Sequence, residues 1–587
     1  MDAINTTTSV ETVTKDDAAW IMSNAFLILT MQTGFGMLEA GCVSSKNVAN
    51  IMVKNVIDVT MGGITYWAFG YALSFGRPSN AFMGYGDFFF TPSKKDPQGS
   101  LYVRYIFQFS FATAATTIVS GAVAERMKLT AYMIFSALNT VVYCIPASWA
   151  WNDAGFLRQH GFFDFAGACV VHMSGGASAL VAAKVLGPRI GRYTEKCDHP
   201  GDYMSSPVTA LTGTFMLWWA WLAFNCGSSF GLQNDMWKIA AKVGVVTLNG
   251  SIGGSLSGLF LSVIITWKKK DFYFDISYII TSVLGGLVGI TASCAVISPA
   301  EGILVGFIGG IIAIVDDPVG AVAVHLFAAF WSTISVGLFG QNEFQQLNGY
   351  DGLFHNGGFY LLGIQFAGCG CIIIWAGVST LICFLGLKYT VGIRMTPEEE
   401  ILGADWVEHR IRSENFSVKL EKSIKKLNIN HEELDTVAMK VLKMLHEEQT
   451  HPRHRRMTLM SPSGAVIRNF NPKIIPVDTM SIDSIRSEKT ASRSATPLND
   501  SEYISSVGLL GTHSNQSDRT ATTAGSFVSK KKLTRKLTSK ISITSPKSGM
   551  YGSYSSKVPK KKQSINFVDN PTLLDVSELN GSTPQST

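Results

Sequence analysis

The stretch DFAGACVVH, residues 164–172, returns as DPVGAVAVH at residues 317–325, with Asp, Gly, Ala, Val and His in the same register. Each copy places one imidazole inside an otherwise apolar run. An ionisable side chain is costly to bury in a membrane-spanning helix, so its presence there points to function. Because the two copies place their histidines alike, we take His172 and His325 as the candidate functional centre of the protein.

Outward from these two copies, the chain up to about residue 387 is rich in apolar runs, whereas the rest is polar. The runs are about twenty residues long, the length that a helix needs to cross about 30 Å of hydrocarbon. The sequence therefore predicts an all-α membrane protein with about eleven transmembrane helices. The predicted spans are 18–42, 52–75, 102–123, 130–151, 164–186, 208–230, 239–266, 275–297, 302–315, 318–340 and 358–387.

Basic residues are unequally distributed between the predicted loops. When the N-terminus is placed outside, most of them fall in or beside the inner loops. By the positive-inside rule this predicts an outer N-terminus and a cytoplasmic C-terminus. The inner set is Lys46, Lys54, Arg126, Lys128, Arg189, Arg192, Lys196, Lys268, Lys269 and Lys270, and the outer set is Arg77, Lys94, Lys95 and Arg158.

In this topology the two Asp-to-His copies run in opposite directions. A five-plus-five inverted repeat followed by a C-terminal helix is the simplest arrangement that produces such a pair. Asp164 and Asp317 precede helical runs, so we expect them to be structural caps of helix N-termini. At about 100° per residue, Asp and His of one copy do not share a helix face, so we do not expect them to form a proton relay.

The remaining segments are assigned from composition. Residues 1–17 are predicted as an extracellular N-terminus, in which Asn5 begins a candidate glycosylation sequon. Residues 18–387 form the predicted membrane domain, residues 388–449 a partly helical cytoplasmic segment, and residues 450–587 a disordered cytoplasmic tail. Basic runs beside hydroxyl side chains in the tail are candidate sites for kinases or for anionic lipid.

Several function classes have no support in the sequence. The cysteines show no metal-ligand or disulfide-framework spacing, and we expect no metal or cofactor. The net charge of +6 resides in the tail and short loops, which does not indicate nucleic-acid binding. The sequence contains no evident nucleophile with an adjacent base and no evident phosphate-binding loop. An enzymatic function therefore has no support in it.

Further motifs occur in a fixed order around the two histidine segments: GCVSSKNVAN at 41–50, GAVAER at 121–126, FNCGS at 224–228, and an acidic stretch from 398 to 409. Together they resemble the ammonium transporter family, the Amt and methylammonium-permease branch of a group that also contains Rhesus proteins. The resemblance covers roughly residues 18–409. It implies ammonium or methylammonium as substrate, a plasma-membrane location, and a homotrimer with one pore in each subunit.

The resemblance also assigns an outer recognition site to Phe111, Trp151 and Ser228, the last supplying a hydroxyl acceptor. Aromatic faces stabilise a desolvated cation by about 2 kcal/mol each. Trp149 competes with Trp151 for the tryptophan role, because the loop before Asp164 does not align without a gap.

Below that site, the resemblance implies a gate formed by Phe111 and Phe224, a pore-facing Trp221, and the two imidazoles of His172 and His325 facing one another in an apolar pore. Neutral imidazole donates from one nitrogen and accepts at the other, so paired rings can pass a proton. We expect ammonium to bind outside, lose its proton near the gate, and cross the histidine zone as ammonia.

Two alternatives stay open at this point. One is a Rhesus-like gas channel that passes ammonia or carbon dioxide without the proton. The other is an ammonium sensor that signals through its long tail.

Overall fold

The computed structural model describes residues 13–190, 204–268, 270, 272–314 and 320–411. Asn5, Asp317 and the tail beyond residue 411 lie outside this part, together with the predictions made for them. The described secondary structure is helical apart from two isolated β-bridges. The α-helices are α1 (Lys15–Leu29), α2 (Met31–Cys42), α3 (Val48–Thr65), α4 (Tyr71–Phe75), α5 (Gln98–Ala122), α6 (Leu129–Trp151), α7 (Phe156–Gln159), α8 (Ser174–Leu186), α9 (Pro207–Gly227), α10 (Met236–Lys268), α11 (Ile276–Thr291), α12 (Pro299–Ile312), α13 (Ala328–Phe339), α14 (Tyr360–Thr390), α15 (Pro397–Leu402) and α16 (Ala404–His409).

Three of the described helices are preceded by a single π-helical turn. Such turns are Tyr66–Gly70 before α4, Ala168–Met173 before α8, and Ala323–Phe327 before α13. A π-turn widens the helix locally and often marks a functional position. Both candidate histidines lie in these turns.

Six helical segments among the described residues are long and apolar enough to cross a membrane, and shorter apolar helices accompany them. This agrees with the all-α membrane class predicted from the apolar runs. The six are Lys15–Cys42, Leu129–Gln159, Ala168–Leu186, Pro207–Gly227, Met236–Lys268 and Tyr360–Thr390, and the shorter ones are Ile276–Thr291, Pro299–Ile312 and Ala323–Phe339.

Glycine allows the closest helix contacts, in which α10 packs against α11 and α12. A Cβ atom added at Gly306 would lie 1.9 Å from the carbonyl oxygen of Gly250, and one added at Gly253 would lie 2.2 Å from that of Ile303. Backbones can approach this closely only without side chains, which is how small residues hold membrane helices together.

Two sequence expectations require correction. The helix that carries His172 begins at Ala168 instead of Asp164, because Gly167 adopts a positive φ of 89° that turns the chain first. Lys54 is not at a cytoplasmic border, since it lies within α3 and is 0% exposed. A lysine buried within a helix does not belong among the loop charges used to predict the orientation of the chain, so including Lys54 there was wrong.

One end of the helix bundle carries the C-terminal segment 393–411, and we call it the tail end. There the Asp405 carboxylate accepts hydrogen bonds from the N–H groups of Asn50 (2.7 Å) and Ala49 (3.1 Å) at the start of α3. The Glu408 carboxylate accepts from the N–H of Leu129 (3.1 Å), the first residue of α6. Carboxylates at helix N-termini pair N–H groups that lack partners within the helix. We call the opposite end, where α6 finishes, the Trp151 end.

Candidate functional site

The two repeated motifs adopt the same local structure wherever both are described. Gly167 and Gly320 have φ values of 89° and 78°, and each is followed by a helix that contains a π-turn. A left-handed backbone of this kind favours glycine, which explains why both copies place Gly at the same position. The wider π-turn then presents His172 and His325 toward each other.

The imidazoles of His172 and His325 are in direct contact. Their Nδ1 atoms are 3.1 Å apart, and their rings are nearly parallel, with centroids 5.2 Å apart and an interplanar angle of 17°. A contact between two ring nitrogens is a hydrogen bond when one carries the proton and the other offers its lone pair. Nε2 of His172 has no hydrogen-bond partner among the described residues, so it is available to a small polar molecule.

Aromatic rings enclose this histidine pair. The Trp221 ring stacks on His172 with a centroid distance of 4.9 Å and an angle of 13°, and Phe224 lies 5.5 Å from the same imidazole. Phe35 covers His325 at 6.0 Å. The indole N–H of Trp221 donates to Thr291 Oγ1 (2.8 Å), which keeps that ring in place without a polar group facing the imidazole. The surroundings of the pair are therefore apolar.

Phe111 and Phe224 form a stacked pair above His172. Their centroids are 4.1 Å apart with an interplanar angle of 11°, and both side chains are at most 2% exposed. Trp151 meets Phe111 edge-on at 5.9 Å and 75°. Because Trp151 contacts Phe111 and Phe224 contacts His172, the stacked rings lie between Trp151 and the histidine pair.

Ser228 follows Phe224 by one helical turn at the end of α9. Its hydroxyl donates to the Phe224 carbonyl (2.8 Å) and the residue is 8% exposed. A hydroxyl that donates in this way keeps its oxygen lone pairs for accepting a hydrogen bond. Ser228 is therefore held at the Trp151 end with an acceptor beside the aromatic pair.

Trp149 and Trp151 point to different parts of the protein. Trp149 packs against Phe82, Phe156 and Trp375 at centroid distances of 5.4, 5.2 and 5.6 Å. Trp151, in contrast, contacts Phe111. Two residues along a helix differ by about 200° in direction, so the two rings cannot share a face. The geometry associates Trp151 with the stacked phenylalanines.

Asp164 lies three residues before the N-cap position Gly167, yet its carboxylate performs the capping. Its two oxygens accept from four backbone N–H groups at distances of 2.8 to 3.0 Å. Its own carbonyl accepts from the indole N–H of Trp151 (2.9 Å). Asp164 thus connects the aromatic site to the helix that carries His172. The four donors belong to Gly167, Ala168, Cys169 and Val170.

Sequence reasoning missed two sets of polar residues near the site. Gln365, the lone amide in the apolar run of α14, bonds to the loop before Asp164 and is 0% exposed. Glu39, Lys54 and Asp58 are buried on α2 and α3. The signal was available in both cases, because a polar side chain inside an apolar run requires a partner.

The tail end carries its own buried charge pair. Arg189 forms a salt bridge with Glu125, whose side chain is 9% exposed and also accepts from the N–H of Ser44 (2.6 Å). Burial by itself raises the pKa of Glu125, but Arg189 and the hydrogen bonds from Ser44 outweigh it and lower that pKa to about 2. The carboxylate is therefore ionised at neutral pH and joins the loops after α2, α5 and α8.

Comparison with known proteins places these features in context. Residues 19–413 match the sequence model of the Ammonium Transporter Family. The chain is 38% identical over 435 residues to the putative ammonium transporter 3 of Caenorhabditis elegans, covering 70% of this chain and 62% of that protein. It is 33% identical over 428 residues to ammonium transporter Amt2 of Archaeoglobus fulgidus, covering 67% and 87%. The resemblance drawn from the motifs is thereby confirmed.

Solved structures resemble the described fold as well. A structure titled Sensor Amt Protein has a TM-score of 0.61 at 31% identity and covers 67% of this chain and 98% of its own. Mep2 from Candida albicans has a TM-score of 0.59 at 24% identity, covering 66% and 88%. At that identity, the second likeness concerns the fold alone.

Proposed function

Because this chain belongs to the ammonium transporter family, we propose that it carries ammonium, and its analogue methylammonium, across the membrane that its apolar helices span. It is a multi-pass membrane protein. The curated relatives named ammonium transporters support the substrate, and the arrangement of rings around the two histidines supports the route.

Recognition takes place at the Trp151 end. Bare ammonium cannot enter hydrocarbon, because the cost of burying an unpaired ion is on the order of tens of kcal/mol. Trp151 and Phe111 offer aromatic faces, each contributing about 2 kcal/mol to a desolvated cation. The hydroxyl of Ser228 accepts one N–H. Asp164 supports this site from below through its carbonyl, which holds the Trp151 indole.

Passage then requires the stacked Phe111 and Phe224 to part and ammonium to lose its proton. Ammonia continues along the His172 and His325 pair, whose nitrogens offer hydrogen bonds in otherwise apolar surroundings. The observation that carries the proposal is the 3.1 Å contact between the two Nδ1 atoms under a closed aromatic lid. Apolar surroundings with neutral imidazoles favour a neutral molecule over an ion.

The wider architecture belongs to the same proposal. The chain crosses the plasma membrane in eleven spans, arranged as a five-plus-five inverted repeat and a C-terminal helix, with the N-terminus outside and the tail end cytoplasmic. The matching backbone turns at Gly167 and Gly320 support the repeat. Three chains assemble as a homotrimer. Asp317 caps the second histidine helix as Asp164 caps the first. Asn5 is a glycosylation site, and kinases act on the tail.

The test is uptake of labelled methylammonium by cells that lack their own transporters. The intact chain is compared with His172→Ala at equal surface expression, and His160→Ala, an exposed histidine of the outer loop, serves as the matched control. We expect the His172 variant to change both the rate and the selectivity and the His160 variant to match the intact chain. Equal rate and selectivity in all three would contradict the histidine route.

Two alternatives are separated by further measurements. Ammonia equilibration without any current under voltage clamp favours a gas channel. A sensor function is supported by the likeness to a structure titled as a sensor and by the contacts of segment 393–411 with the starts of α3 and α6. Deleting residues 412–587 distinguishes it, since a sensor loses signalling while uptake stays normal.

A further inference from the structure

Three ionisable side chains lie inside the helices without any role in the route described above. They are Glu39 on α2 and Lys54 and Asp58 on α3, and they are 3%, 0% and 0% exposed. Burying charged groups away from water is expensive, so a cluster of this kind needs a stated physical reason.

The cluster lies between the histidine pair and the tail end. The ring of Phe35 is 6.0 Å from His325, and Glu39 follows Phe35 by four residues on α2. Residues four apart share a helix face and are separated by about 6 Å along the axis. The loop that follows α2 contacts the C-terminal segment, because the Asp405 N–H donates to the Lys46 carbonyl (3.1 Å). Glu39 is therefore one helical turn closer to that end than Phe35, the ring that contacts His325.

The two carboxylates differ in how fully they are paired. Asp58 accepts from the Tyr132 hydroxyl with both oxygens (2.8 and 2.7 Å) and from Ser136 (3.0 Å). Glu39 accepts once at each oxygen, from Asn55 Nδ2 (2.7 Å) and from the Ser120 hydroxyl. Each carboxylate oxygen has two lone pairs, so Glu39 retains acceptor capacity for a proton or a water molecule.

Lys54 is the independent sign that this volume takes a polar ligand. Its ammonium lies 5.3 Å from the Tyr132 ring centroid and interacts electrostatically with both carboxylates. Among the described residues, neither Lys54 Nζ nor Asn55 Oδ1 has a hydrogen-bond partner. An unpaired buried donor and an unpaired buried acceptor beside a carboxylate match a water molecule, which can both accept and donate and can transfer a proton to the carboxylate.

We propose that Glu39 is a proton-binding site through which the proton released by ammonium reaches the tail end and is returned to ammonia. This rests on the proposed function. Lys54 and Asp58 balance the charge of the cluster in both protonation states of Glu39, which keeps its net charge small inside the membrane.

The proton transfers balance without any change of oxidation state. Ammonium breaks one N–H bond near the gate, and an imidazole nitrogen takes the proton. The histidine pair passes a proton to water, and water transfers it to a Glu39 oxygen, where an O–H bond forms. That bond breaks when the lone pair of an ammonia molecule leaving the pore takes the proton, which restores ammonium and the carboxylate.

The test measures charge carried per substrate molecule, from current under voltage clamp and labelled methylammonium uptake in the same cells expressing the full chain. Glu39→Gln keeps the size of the side chain but cannot bind the proton. We expect the intact chain to carry about one charge per molecule and the variant to carry at least about ten-fold less charge per molecule. A merely structural defect lowers current and uptake together and leaves their ratio unchanged.

Two further variants keep the test decisive. Glu39→Gln leaves Lys54 and Asp58 as an oppositely charged pair, so no buried charge stands alone, and Glu39→Asp, which keeps a carboxyl group that can bind the proton, should retain most of the ratio of the intact chain. Glu301→Gln changes a carboxylate outside the cluster, at the start of α12, and should keep the ratio of the intact chain. An unchanged ratio in Glu39→Gln overturns the Glu39 site, as does a ratio near zero in the intact chain. Absence of any uptake by the intact chain overturns the proposed function itself.

Discussion

Gln365 of α14 forms two hydrogen bonds with the backbone of Phe163, although 202 residues separate them in the chain. Its Oε1 accepts from the Phe163 N–H (3.0 Å), and its Nε2 donates to the Phe163 carbonyl (2.6 Å) and, more weakly, to that of Thr333 (3.3 Å). Phe163 precedes Asp164, which in turn holds the Trp151 indole. A helix outside the aromatic site therefore positions the loop on which that site depends.

Replacing Gln365 should impair substrate binding more than it impairs folding. Gln365→Leu leaves buried backbone groups of Phe163 unpaired, at a cost of about 1–3 kcal/mol each. We expect the loop to shift and the half-saturation concentration for methylammonium to rise about ten-fold. Concentration-dependent uptake measures this, with the lipid-facing Ile374→Leu on the same helix as control. A Gln365→Leu chain with normal half-saturation would show that the loop holds its position without the amide.

The two tryptophans at the end of α6 should respond differently to substitution. Trp151→Leu removes the ring that contacts Phe111, and losing about 1–2 kcal/mol of cation–π stabilisation should raise the half-saturation concentration about 5- to 30-fold. Trp149→Leu should leave that concentration near normal, because its ring packs against Phe82 and Trp375. The reverse order of effects would assign recognition to Trp149.

Asp164→Ala should abolish transport through loss of structure. Four N–H groups lose a charged acceptor, and hydrogen bonds to charged groups contribute about 1.5–3 kcal/mol each. Asp164→Asn keeps one acceptor oxygen and should retain part of the surface expression. Surface labelling together with uptake measures both effects. An Asp164→Ala chain that folds, reaches the surface and transports at the normal rate would refute the capping role.

The contact between α10 and α12 should not tolerate a methyl group. A Cβ at Gly306 meets the Gly250 carbonyl at 1.9 Å, and backbone on both sides leaves little room to shift. Overpacking of this kind costs about 1–3 kcal/mol or more, so we expect Gly306→Ala to lower the melting temperature of the purified protein by several degrees. Gly363→Ala on α14 is the matched control, because nothing lies within 4 Å of the position that its added methyl group would occupy. Equal melting temperatures for both variants would argue against tight packing at Gly306.

The buried pair of Glu125 and Arg189 should make stability depend on acidity. The pKa of Glu125 is lowered from 4.5 to about 2, so its contribution is complete above about pH 4.5 and is lost as pH falls toward 2. That contribution is on the order of 3 kcal/mol at neutral pH. Glu125→Gln should therefore melt below the intact protein at pH 7, and the difference should shrink as the pH approaches 3. A difference that stays constant over this range would exclude titration of Glu125 as its cause.

The sequence alone was enough to predict the membrane class and the family, and it singled out two histidines that the structure brings into contact. Long apolar runs predict membrane-spanning helices because backbone N–H and C=O groups in hydrocarbon must form hydrogen bonds within the protein. A helix meets this requirement within each segment by itself. The repeated Asp-to-His motif identified His172 and His325 because an imidazole stands out among valines and alanines. Both signals depend only on residues that are near one another in the chain, so they can be recognised in the sequence itself.

Only the tertiary structure decided which side chains meet. Trp149 and Trp151 are equivalent in the sequence, and the rotation of α6 against its neighbours directs one of them to Phe111. Lys54 could be mistaken for a loop charge because the packing of α2 beside α3 is what places it next to Glu39. Contacts between distant segments depend on helix rotation and axial position, and no spacing along the chain encodes those two quantities.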